Sequence, residues 1–73
     1  MELKSDILRG LVLHLESEKA KAKVCLDNYL YNSVGIGEHP DIILECVKLI
    51  EKIDQADSAL ITLHKSYPDE LQG

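Results

Sequence analysis

The chain has 73 residues, of which 23 are Leu, Ile or Val, and it carries a formal net charge of −5. A negative charge of this size opposes binding to DNA, RNA or an anionic membrane, because those partners are held by basic surfaces. The apolar content is too high for a disordered chain, and a domain this small hides only a modest share of its surface. We therefore expect its apolar side chains to be buried against a second copy.

The sequence also argues against membrane insertion, secretion and catalysis. No apolar run approaches the ~20 residues of a membrane span, and the first residues, with Glu2 and Asp6, lack the basic start and apolar stretch of a signal peptide. Two cysteines without close spacing indicate neither a zinc site nor a disulfide scaffold. No motif provides a nucleophile, a metal-ligand cluster or a phosphate loop. We expect a cytoplasmic, non-enzymatic single domain with no cofactor, no metal and no catalytic residue.

The first helix is predicted over residues 2–31. Apolar residues follow the alternating three-and-four spacing of a heptad, interrupted only at Glu18. Gly10 is either a tolerated, exposed glycine or a point where another backbone approaches closely. The stripe consists of Leu8, Leu11, Leu15, Ala22, Cys25 and Tyr29.

Residues 32–39 form the predicted loop, which has two interpretations. Gly35 and Gly37 let the chain reverse, and N–H groups at the start of the next helix are suited to a phosphate or carboxylate ligand. Glu38 and Asp41 oppose such an anion with their own charge. In the alternative interpretation the loop is a structural plug that closes the end of a helical bundle.

The second helix is predicted over residues 40–67, with Pro40 at its first position and Asp41 in its first turn. Pro68 should end it, leaving residues 68–73 as a frayed tail. Its apolar arc is too wide for one neighbouring helix and includes Val47 and Ile61 at its edge. From this arc we predict an oligomer interface of Ile43, Cys46, Ile50, Ile53, Leu60 and Leu63.

These elements predict an all-α fold: an antiparallel two-helix hairpin that assembles into a four-helix bundle as a homodimer, or into a larger helical oligomer. If the helices pair so that facing residue numbers sum to about 71, Cys25 lies level with Cys46 and His14 lies near Asp57. The cysteines are then either a disulfide or, as a reducing cytosol favours, two buried thiols. His14 and Asp57 would form a structural polar pair.

Two resemblances bear on function. His39-Pro40-Asp41 is similar to the tripeptide through which J-domain co-chaperones stimulate Hsp70 ATPases, although the residues before it differ from that family's basic helix. The segment from Val34 to Asp41, with its Ile-rich following helix, resembles short, mostly uncharacterised proteins of tailed bacteriophages. This second resemblance implies a small phage-type accessory protein in the host cytoplasm, without assigned chemistry.

The expected function is that of a homo-oligomeric bundle that binds a host or viral protein. The alternative is a sponge that sequesters a small nucleotide signal of host antiviral defence, since tyrosine rings stack on bases and N–H groups hold phosphate. A minor alternative is the J-domain-like co-chaperone. The predicted ligand or partner site consists of Tyr29, Tyr31, Gly35, Gly37, Glu38, His39 and Asp41.

Overall fold

Two long helices packed against each other form the body of the molecule. A computed structural model describes residues 3–32 and 41–71. Helix α1 spans Leu3–Tyr31, α2 spans Ile42–Ser66, and a third, short helix, α3, spans Pro68–Leu71. The described residues contain no strand, so the prediction of an all-α fold built on two long packed helices is confirmed.

Helix α1 is stabilised along its solvent side by ion pairs one turn apart. Lys21 Nζ lies 3.1 Å from Glu18 Oε2, and Lys23 Nζ lies 3.0 Å from Asp27 Oδ2. Exposed ion pairs one turn apart support a helix only modestly. The polar middle of α1 is therefore a solvated helical surface rather than a break.

Helix α2 begins at a side-chain cap. An Asp41 carboxylate oxygen accepts a hydrogen bond of 2.9 Å from the backbone N–H of Leu44, so Asp41 is the N-cap instead of a first-turn residue. Pro40, predicted to open the helix, lies outside the described residues. At the other end the Tyr67 N–H donates to the Leu63 carbonyl at 2.9 Å, and Pro68 follows.

The segment after Pro68 forms helix α3 over its described part, where the sequence predicted a frayed tail. The Lys4 ammonium of α1 lies 3.0 Å from Glu70 Oε2 and 5.7 Å from the centre of the Tyr67 ring. Leu71 is half-buried, and its N–H donates to the Tyr67 carbonyl at 3.2 Å. These contacts with the start of α1 stabilise a helical turn that the sequence of residues 68–71 would not form by itself.

The core between the helices is small. Among the described residues only four apolar side chains are less than a tenth exposed: Leu8, Ala22, Ala56 and Leu60. The ion pair across the α1–α2 contact joins Lys19 Nζ to Asp57 Oδ1 at 2.7 Å. Their numbers sum to 76, but Leu15 and Ala56, which line one depression together, sum to 71, and Cys25 and Leu49, which line another, sum to 74, so the helices pair close to the predicted sum of about 71.

The hairpin is long and narrow. Its principal extents are 50 × 19 × 15 Å, and its radius of gyration is 16.0 Å, whereas a compact domain of this length has about 11 Å. Its accessible surface is 5637 Å² for a mass of 8.2 kDa, whereas compact monomers of this mass expose about 4,500 Å². A single hairpin thus leaves about 1,100 Å² more surface in water than a compact monomer of its size would.

Candidate functional site

One stripe of helix α2 combines apolar chemistry with exposure to solvent. Ile43, Val47 and Ile50 are 75%, 43% and 51% exposed. Their spacing of four and three residues places them on one side of the helix, over two turns that begin just after the Asp41 cap. Leu44, 49% exposed, lies next to this stripe. We refer to Ile43, Leu44, Val47 and Ile50 as the α2 apolar face.

The predicted interface residues divide into two groups in this structure. Ile43 and Ile50 belong to the α2 apolar face. Leu60 is only 9% exposed, because α1 already covers it within the same chain. The remaining three are half-buried along the hairpin seam: Cys46, Ile53 and Leu63. The surface available to a second molecule is therefore narrower than the arc drawn from the sequence, and Val47 and Leu44 extend it.

Exposed apolar residues on α1 form one stripe near its start, where Leu3, Ile7 and Leu11 are 71%, 54% and 45% exposed at four-residue spacing, and are scattered further along. Leu13, Val24 and Tyr31 are 62%, 68% and 77% exposed. Their separations of eleven and seven residues correspond to roughly 16 and 10 Å along a helix axis. Isolated apolar side chains of this kind are common on protein surfaces, whereas a contiguous cluster marks a site of interaction. Among the described residues, the α2 apolar face, with four members, and the stripe of Leu3, Ile7 and Leu11 are contiguous clusters of this kind.

Most of the predicted ligand site lies outside the described residues, namely Gly35, Gly37, Glu38 and His39. Of the described members, Asp41 is engaged as the α2 cap, and Tyr31 is largely exposed at the end of α1. Tyr29 is half-buried between the helices. Among the described residues of the predicted ligand site, Tyr29 is therefore the one that lines a surface depression between α1 and α2.

The depression beside Tyr29 is shallow, has a volume of about 290 Å³ and lies on one side of the hairpin. The Tyr29 ring and the ammonium groups of Lys48 and Lys52 would suit a small aromatic anion. The Lys48 ammonium already lies 3.4 Å from Glu45 Oε2. The lining residues are Cys25, Tyr29, Glu45, Lys48, Leu49 and Lys52. Sequence reasoning named Tyr29 but not the lysines, because their approach to it depends on the register of the helices.

A second depression, of about 280 Å³, lies where α3 meets the other two helices. His64 is its most notable member: its Nδ1 lies 2.8 Å from the Leu60 carbonyl oxygen. A carbonyl only accepts, so Nδ1 carries the proton and Nε2 of the neutral ring is free of one. The other lining residues are Ser5, Arg9, Val12, Glu70 and Leu71. Sequence analysis did not point to this cluster, because it did not predict α3.

The predicted pairing of His14 with Asp57 is wrong. The Asp57 carboxylate pairs with Lys19, five residues further along α1, and this hydrogen-bonded ion pair raises the pKa of Lys19. His14 is exposed and, with Lys52, is a minor influence that lowers the pKa of Glu18, after the hydrogen bond and charge of Lys21. The contacts of Asp57 therefore do not assemble a general base with an orienting carboxylate at this position.

Both cysteines are free thiols. Cys46 is half-buried, as a small apolar residue on the seam would be, but Cys25 is exposed, contrary to the expectation of two buried thiols. Cys25 lines the same depression as Glu45 and Lys48, so the two thiols lie near the same level of the hairpin even though the Cys25 side chain is exposed.

The described residues contain no helix that has both the length and the apolar character to cross a membrane. No three His, Cys, Asp or Glu side chains in the described ranges come together as metal ligands would. Comparison with protein-family models, curated proteins and solved structures found no match to this chain. The resemblances to phage proteins and to J-domains therefore stay predictions, and the function must be argued from the surface of the hairpin.

Proposed function

We propose that this protein is a non-enzymatic helical hairpin that associates with itself and acts by binding another protein. In the proposed setting the chain is a phage-type accessory protein and its target is a host or viral protein in the host cytoplasm. The observation that carries the proposal is the apolar surface that one hairpin leaves exposed.

The size of the core supports self-association. Two leucines and two alanines are the only apolar side chains among the described residues that are less than a tenth exposed, while thirteen large apolar or tyrosine side chains are at least 39% exposed. Fully burying one Leu, Ile or Val contributes about 1.5–3 kcal/mol. A hairpin that gains so little of this energy alone is stabilised by covering its exposed residues in an assembly.

The test of self-association is native mass spectrometry, with multi-angle light scattering of the same sample. We expect an integral multiple of the 8.2 kDa chain mass. A helical monomer at every concentration sampled would contradict the proposal. Target binding is then tested by chemical cross-linking in infected cells, followed by titration of the purified candidate with the wild-type protein. We expect a specific cross-linked protein that binds saturably, and its absence would contradict target binding.

A second candidate function rests on the depression beside Tyr29. Its aromatic ring and the lysines at positions 48 and 52 favour a small aromatic anion such as a nucleotide, which matches the sequestering function weighed from the sequence. The probe is a panel of cyclic mononucleotides and dinucleotides added to the purified protein. An added mass of one nucleotide per chain or per oligomer, lost in Lys52→Glu but kept in Lys65→Glu, would support sequestration. Unshifted masses with every probe would exclude it.

A further inference from the structure

The α2 apolar face has the composition of a contact between identical surfaces. Its stripe from Ile43 to Ile50 consists of branched aliphatic side chains with no charged residue among them. Apolar surfaces of this kind are self-complementary, and a two-fold dimer places the same patch of each subunit against the other. The next position along the stripe is occupied by the exposed Asp54, which ends the apolar stretch.

The amount of exposed surface also matches one additional hairpin. Compared with a compact monomer, each chain exposes about 1,100 Å² in excess. A standard stable interface removes about 800 Å² from each partner, so a single contact with one equal partner accounts for most of this excess. A polyanionic partner is disfavoured, since the chain carries a charge of −5 and Asp54 borders the face.

We propose that the α2 apolar face is the dimer interface and that two copies of α2 pack there antiparallel, with the two-fold axis beside Val47. Ile43 then lies against Ile50 of the partner subunit, and the reciprocal contact forms on the other side of the axis. The inference rests on the proposed self-association and adds the surface, the partner and the orientation.

Charge decides between the two orientations. Parallel packing in register would set Asp54 beside Asp54 of the partner subunit, next to an apolar seam where like charges repel strongly. Antiparallel packing about Val47 separates these two carboxylates by about fourteen residues along the seam, or roughly 20 Å. The opposed helix dipoles favour the same arrangement.

The first test measures the dissociation constant of the dimer by sedimentation equilibrium for wild type, Ile50→Asp and Leu13→Asp. Ile50 is half-exposed in the single hairpin, so an aspartate at this position disrupts no packing within one chain, and circular dichroism at each concentration checks that the variant is helical. We expect Ile50→Asp to raise the dissociation constant at least about 100-fold, because both copies lose an apolar contact, and Leu13→Asp to leave it unchanged.

The possible outcomes separate the inference from the proposed function. A dimer that is as tight in Ile50→Asp as in wild type would overturn the interface while leaving self-association intact. A wild-type monomer, including one whose own loop covers the face, would overturn both.

Disulfide cross-linking tests the orientation without relying on a disruptive variant. In a background of Cys25→Ser and Cys46→Ser, chains with Ile43→Cys are mixed with chains carrying Ile50→Cys and oxidised. We expect the mixed disulfide to exceed either homodimeric product, and Asp54→Cys to give none. Efficient cross-linking of Asp54→Cys to itself would establish parallel packing and overturn the antiparallel arrangement.

Discussion

At the scale of single residues, the structure separates positions that the sequence pattern treats alike. Ala22 and Ala20 stand two residues apart in the same alanine-rich stretch, yet Ala22 is 4% exposed at the helix contact and Ala20 faces solvent. Gly10 likewise has no atom within 4 Å of the position that a Cβ would occupy. Of the two interpretations of Gly10, the exposed and merely tolerated glycine is therefore confirmed for the hairpin.

Enlarging the buried alanine should destabilise the hairpin. Ala22→Leu inserts a side chain where the neighbouring helix leaves no room, at an expected cost of about 1–3 kcal/mol in the free energy of unfolding. Urea denaturation followed by circular dichroism measures this cost. Ala20→Leu is the matched control, with a change within about 0.5 kcal/mol. Equal stabilities for the two variants would show that α1 and α2 do not meet at Ala22.

Replacing the glycine should stabilise helix α1. Gly10→Ala removes backbone freedom from the unfolded chain and meets no neighbour in the hairpin, so we expect a gain of about 0.5–1 kcal/mol. Thermal unfolding at a fixed protein concentration detects the gain. A loss of stability would instead indicate that a second copy packs closely over this glycine.

At the scale of helices, the lengths and the approximate alignment were predictable but the tail was not. Heptad-like spacing together with favourable residues along the chain predicts two long helices, and α1 ends at Tyr31 as expected. A shift of one turn places most apolar residues opposite apolar residues again, so spacing alone could not exclude other registers, but the depression that Leu15 and Ala56 line agrees with the predicted pairing near 71. Helix α3 depends on contacts with Lys4, which lies more than sixty residues away in sequence.

The cap at Asp41 should contribute measurably to α2. Asp41→Ala leaves the Leu44 N–H without its acceptor, and we expect a loss of about 0.5–2 kcal/mol in the free energy of unfolding. Asp41→Asn keeps a capping oxygen and should lose much less. Chemical denaturation compares the two variants with wild type. If Asn were as damaging as Ala, the carboxylate would have a role other than capping.

Docking of α3 should weaken in acid. The hydrogen bond from Lys4, followed by a backbone hydrogen bond, lowers the pKa of Glu70 below its ordinary value of 4.5. A lowered pKa means that the stabilisation is fully present above 4.5 and is lost as the pH falls through the lower, folded-state value. The chemical shift of the Leu71 amide should follow this titration. In Glu70→Gln the same shift should stay constant, and a wild-type shift that is equally constant would contradict the contact.

The candidate site shows where sequence reasoning stops. Ile43 and Ile50 could be predicted as interface residues, because they lie one heptad apart on an apolar arc that is too wide for one neighbouring helix to cover. Leu60 follows the same spacing, but α1 already covers it within the hairpin. Only the packed structure shows this. Arg9 and His64 escaped notice because the tail that encloses them was expected to be unstructured.

At the scale of the whole molecule, charge and apolar surface act against each other in assembly. Two chains of −5 repel, and this repulsion weakens with salt because the screening length falls to about 10 Å at 0.1 M. We expect the dissociation constant of the oligomer to fall as sodium chloride is added. Sedimentation equilibrium across a salt series provides the measurement.

A variant at the edge of the α2 apolar face isolates the local contribution to this repulsion. Asp54→Asn should lower the dissociation constant at low salt and make it depend less on the salt concentration. Asp69→Asn, on α3, should have smaller effects on both. Weaker association on adding salt in the wild type would mean that attractive ion pairs, rather than repulsion, dominate the interface.

The elongated outline, 50 Å by 19 Å by 15 Å, also affects how the protein behaves in flow. A rod experiences more friction than a sphere of equal mass, so one hairpin diffuses like a heavier globular particle. A dimer joined antiparallel beside Val47, near the start of α2, doubles the mass and also lengthens the rod, because the two hairpins overlap mainly at that end. The step from one chain to two should therefore change the elution position more than the same increase in mass would for a globular protein, so retention time alone would overestimate assembly.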